Sequence, residues 1–111
     1  MPNDRISALQ RMLERNPDDP RVFFGLALEY EKLGDWQQVA ANLRRYLDLT
    51  EDEGNAWGRL GHALHELGLE DDARAAYRRG IEVANQHGHP TMAMEFEEIL
   101  TRGGEPEQRE T

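Results

Sequence analysis

Two histidines three residues apart, His62 and His65, carry the sharpest chemical signal in the chain. On a helix that spacing puts both imidazoles on one face. With His89 as a third donor, should the last helix fold back, they would form the beginning of a transition-metal site. No His-Glu-x-x-His run backs them with a carboxylate, and the chain has no cysteine. The preferred reading is therefore a pair of solvated groove histidines, with no metal and no other cofactor. Glu29/Glu31 and Glu95/Glu97/Glu98 are the tight carboxylate groups in helical patterns. A glycosidase-like pair needs a cleft that raises the pKa of one member, whereas these carboxylates alternate with apolar stripe residues and mostly face solvent. Ser7, the only serine, has no histidine near it in sequence. Gly58-Arg59-Leu60-Gly61 lies inside a helical pattern, where the backbone N–H groups are committed and cannot cradle a phosphate. No catalytic constellation assembles from these parts, and a non-enzymatic protein is expected.

Composition narrows the partners. The 111 residues suit one domain with a thin core. The net charge is −9, and it is uneven: residues 51–111 carry 14 acidic groups against 6 basic ones. Nucleic-acid binding needs a basic stripe to replace released counterions, and none is present. The acidic half reads first as a solvated face, and second as a surface for a basic partner. Lys32 is the only lysine. No apolar run approaches the ~20 residues that span a bilayer, so a cytoplasmic protein without a membrane anchor is expected.

The elements that must position these residues repeat. One constant shift along the chain lays Phe23 on Trp57, Leu26 on Leu60, Ala27 on Gly61 and Leu33-Gly34 on Leu67-Gly68. Val39 then falls on Ala73, Leu43 on Tyr77 and Leu47 on Ile81. Carried backwards, the shift lays Leu9 on Leu43 and Leu13 on Leu47, so the chain opens on the second half of a unit. Each unit reads as helix, tight turn, helix. Asp19 caps and Pro20 opens the first helix, Gly34 supplies a left-handed stop, and Asp35 caps the next. Gly68 and Gly88 repeat the stop. Helices are expected near 4–15, 20–33, 36–49, 54–67, 70–87 and 90–101, with Trp57 mostly buried in the second unit. Gly58 and Gly80 lie inside helices, where each costs about 1 kcal/mol relative to alanine, which points to a neighbour pressing close.

The run Phe23…Leu26-Ala27…Tyr30…Gly34-Asp35-Trp36…Val39…Leu43…Tyr46, answered by Trp57…Leu60-Gly61…Leu64…Gly68-Leu69-Glu70…Ala73…Tyr77…Gly80, resembles the tetratricopeptide repeat. It departs from the pattern in that Val39 and Tyr46 exceed the usual alanines, Leu64 replaces an aromatic, and the closing proline survives only as Pro17. The resemblance covers about residues 4–100. It implies an all-α fold, a right-handed helical-hairpin solenoid of about six helices in one domain over 1–101. Its parts would be a leading half-repeat (4–15), repeats at 20–53 and 54–87, and a cap helix (90–101) that leans toward the groove through Met92, Phe96 and Ile99. Residues 102–111 are expected to form a disordered tail. Small stand-alone bacterial members have this layout.

In that family the first helices of successive units line a groove. Here the resemblance maps Arg21, Phe24, Leu28 and Glu31 from one unit, and Asn55, Gly58, Arg59, His62 and His65 from the next, onto it. Phe24 and Leu28 are apolar where a solvated groove would be polar, which suits a peptide-binding strip and equally suits a covered surface. The Lys/Asn carboxylate clamp of chaperone-tail binders is absent, its positions being taken by Phe24, Leu28 and Ala93. The expected function is an adaptor that holds a peptide of another protein, with Arg21 and Arg59 as charged donors. The alternative is a self-assembly unit in which the same strip, or the first helix around Ile6, Leu9 and Leu13, forms a homodimer interface.

Overall fold

A computed structural model describes residues 3–103, and it contains six helices and, among the described residues, no strand. They are α1 (Asp4–Arg15), α2 (Pro20–Leu33), α3 (Trp36–Leu49), α4 (Asn55–Glu66), α5 (Glu70–Gln86) and α6 (Pro90–Gly103). Local chemistry sets the limits. The Asp19 carboxylate accepts the Arg21 N–H and Pro20 opens α2, while Gly34 ends it at φ 70°. Asp35 accepts from the Gln38 N–H at the head of α3. The start of α4 is tied differently: Asp52 accepts from the N–H groups of both Gly54 and Ala56. Gly54 itself has φ 125°, outside the helical region, so α4 opens at Asn55 rather than at residue 54. The last helix runs on through Gly103, into the stretch expected to be tail; the rest of that stretch lies outside the described residues. No helix among the described residues is long and apolar enough to cross a membrane.

Each helix packs on its neighbours in sequence, which is the layout of a helical-hairpin solenoid. One cluster joins both hairpins: Ala27, Val39, Leu43, Ala56, Leu60, Ala63, Leu64 and Ala73 are buried in it, with Trp57 and Phe24 packed on its margin. A smaller cluster of Ile6, Val22 and Leu26, with Leu9 and Leu13 half-buried against it, seats α1 on α2. Small residues set the close approaches. A side chain at Gly61 would meet the Tyr77 ring at 2.8 Å, so the two hairpin helices touch there without one.

The hairpins solve one packing problem in two ways. Phe24 and Tyr46 pack with tilted rings in the first, with ring centroids 5.0 Å apart. Their counterparts one period on are Gly58 and Gly80, and the space fills from outside: the Phe96 ring of α6 seats against both glycines and lies 5.7 Å from the Tyr77 ring. The cap helix thus leans onto α4 as well as α5, and Met92 reaches Gly54. α5 has 17 residues against 14 in α3, and a shorter link to α6 takes up most of that difference, yet the apolar face of α6 leaves the repeat register. Phe96 and Leu100 then sit slightly more than one period beyond Leu60 and Leu64.

Trp57 is half-buried, packed on the margin of the core rather than inside it. Its ring lies at the hairpin edge with the Arg79 guanidinium 5.9 Å from its centroid. A two-layer solenoid has no third layer to cover such a ring.

Candidate functional site

The mapped groove residues divide into a paired centre and an exposed surround. At the centre, Arg59 donates to Glu31 at 2.6 Å, joining α4 to α2. Its guanidinium lies 5.8 Å from the centroid of the Phe24 ring, a cation–π arrangement. Its Nε is buried without an acceptor among the described residues. Arg21 and Asn55 are exposed. Arg21 folds back on its own helix cap, donating to Asp19, and that contact draws the Asp19 carboxyl below its ordinary value. His62 is exposed, sits edge-on to Trp36 at 5.1 Å, and lies 3.9 Å from Glu66. His65 is exposed and lies 3.0 Å from the Glu70 carboxylate.

The apolar strip takes a different form from the one expected. Phe24 is half-buried between Tyr46 and Arg59, so its ring is a packing element. Leu28 is half-buried and turns toward α1, where it borders a crevice of about 250 Å³ with Arg5, Ala8, Leu9 and Gly25. The two residues, four apart, do not present one bare ridge. Ile6 of α1 is buried against α2, and Leu9 and Leu13 are half-buried beside it.

His89 does not join His62 and His65. It lies 2.7 Å from Glu53 at the opposite end of α4, with His87 3.9 Å from the same carboxylate. The His89 contact draws the Glu53 carboxyl below its ordinary value. Among the described residues no group of three metal-ligating side chains converges.

Sequence reasoning missed one feature. Beyond His62 and His65 the face opens into a cavity of about 530 Å³ whose walls include Glu70, Ala73, Arg74 and Tyr77 of α5 and Ile99, Leu100 and Arg102 of α6. The signal lies in the alignment of the two units, which puts Glu70 where the first has Trp36.

Fold and site together define a helical-hairpin repeat protein whose first helices share an exposed, charged face. A family model described as Tetratricopeptide repeat matches residues 54–87, the α4–α5 hairpin. The small glutamine-rich tetratricopeptide repeat-containing protein 2 of Mycosarcoma maydis is 31% identical over 78 residues, which are 70% of this chain and 22% of that protein. A TPR repeat-containing protein of Pseudomonas aeruginosa is 29% identical over 97 residues, 87% of this chain and 92% of that one. The α4–α5 hairpin is a tetratricopeptide repeat, and over most of its length the chain is similar to proteins that carry that repeat. Repeats of this family generally mediate protein–protein interactions.

Proposed function

We propose that this chain is a non-enzymatic adaptor, acting in the cytoplasm, that holds a peptide segment of another protein across the face shared by α2 and α4. The observation that carries the reading is the placement of Arg59. It is held over the Phe24 ring and tied to Glu31, yet its side chain keeps 36% of its exposure. A guanidinium held in this way loses little further conformational freedom on meeting a carboxylate or carbonyl oxygen. Arg21, Asn55, His62 and His65 surround it as exposed polar groups, the polar rim of a recognition face. Leu28 and the Phe24 ring edge supply apolar contact; neither is a free anchor.

The test is capture of binding proteins by the tagged chain, with Arg59→Ala compared against Arg44→Ala, an exposed change on α3. Arg59→Ala should lose the bound protein by about tenfold or more in affinity, the loss of a recognition arginine, while Arg44→Ala retains it. Equal retention by both variants overturns the reading. If the only species recovered is a second copy of the chain, and sizing shows a dimer that Arg59→Ala dissociates, the self-assembly alternative replaces it.

A further inference from the structure

Trp36 and Glu70 hold the same place in successive units: each is the first residue of a second helix, one period apart. Trp36 packs its ring on the core and sets it edge-on to His62 of the next first helix. In the second unit a carboxylate stands at that place, and the cavity of about 530 Å³ lies beside it. Its size is that of a small-ligand or side-chain pocket. Its walls are partly apolar, from Ala73, Tyr77, Ile99 and Leu100, while Arg74 and Arg102 border it. Glu70 is engaged by His65 at 3.0 Å, and Arg74 pairs with no carboxylate among the described residues. The position is thus one that the chain fills with an indole once and, among the described residues, leaves open once, with a cation at the open copy.

We propose that this cavity receives an aromatic side chain of the partner peptide, with a carboxylate next to that ring meeting Arg74. The inference rests on the peptide-binding reading and names its anchor: His62 and His65 border both the α2–α4 face and the cavity. An aromatic group gains the most from such a pocket, because it brings large apolar area at small conformational cost and stacks favourably against Tyr77 and Arg74. The first hairpin supplies the precedent in Trp36.

The experiment is a titration of the isotope-labelled full chain, followed through its amide resonances. The probes are N-acetyltryptophan, N-acetyltryptophan amide and N-acetylvaline. N-acetyltryptophan should give saturable shifts at His65, Glu70, Arg74 and Leu100. The amide, which lacks the carboxylate, should bind several-fold more weakly, and N-acetylvaline should give no saturable shift. Glu70→Trp places the chain's own ring in the cavity and should abolish the response. Arg74→Ala, a change at a half-buried wall residue that leaves the cavity open, should weaken N-acetyltryptophan to the level of the amide. Absence of saturable shifts at these amides, or an undiminished response in a folded Glu70→Trp chain, overturns the proposal, as does an Arg74→Ala chain that still prefers the free acid. The capture experiment with Arg59→Ala reads the α2–α4 face independently. Loss of capture there without N-acetyltryptophan shifts overturns the cavity alone, and retained capture alongside these shifts overturns the face alone.

Discussion

Glu29 carries a carboxylate into the packing of α1 on α2, where it is only 5% exposed. Burial pushes its pKa up, but hydrogen bonds and charge from Lys32 and Arg5 more than reverse that push, so it is held below its ordinary value of 4.5. Arg5 donates at 2.8 Å and Lys32 at 3.3 Å. Asp19 and Glu53 are lowered as well, by Arg21 and His89 in turn. All three are carboxylates with depressed folded values, so their stabilising effect is fully present above the ordinary values and lost as pH falls through the lowered ones. Urea midpoints should therefore show no contribution to a decline from these groups between pH 7 and about pH 5, and a falling one at lower pH. Glu29→Gln should make the acid-side fall shallower; a fall of unchanged steepness would show that Glu29 gains nothing from its partners. At this scale residue types are legible in the sequence and residue partners are not. The neighbours of Glu29 in sequence present it as a solvent-facing carboxylate, because nothing local reveals that α1 crosses over it. Phe24 reads as a bare anchor because the alignment shows which face a residue occupies but not that Tyr46 and Arg59 close over it.

Among the elements, the helix limits are legible because caps are local chemistry. Asp19, Gly34 and Asp35 each act on backbone groups less than five positions away in sequence. The placement of α6 is legible in part. Two glycines inside helices imply a close neighbour, and the Phe96 ring is that neighbour. The register shift of α6 is visible only as a mismatch of its apolar positions with those of α4. The glycines give a direct test. Gly58→Ala gains about 1 kcal/mol of helix propensity, yet its new methyl would strike the buried Phe96 ring. Overpacking of this kind costs about 1–3 kcal/mol, so the net effect should be a lower urea midpoint. Gly25→Ala is the control, since its methyl would meet only the Leu9 side chain at 3.4 Å, an ordinary contact. It should be neutral or stabilising. A Gly58→Ala chain more stable than the parent would contradict the wedge.

Over the whole molecule, a single repeat period carries both the fold and the site. A thin solenoid buries one continuous core and leaves the outer faces of its helices exposed, and the proposed recognition surface lies on those faces. That much follows from the sequence. The cavity between α4, α5 and α6 does not, because it arises from the angle of a helix outside the register acting on a place where Glu70 replaces an aromatic. The most direct measurement of the central claim is amide hydrogen exchange of the full chain with and without the captured partner. Added protection should concentrate in α2 around residues 21–31, in α4 around residues 55–65, at the start of α5 where it walls the cavity, and in the last turn of α6. Protection confined to the outer helices α3 and α5, with α2 and α4 exchanging as in the free chain, would contradict the account.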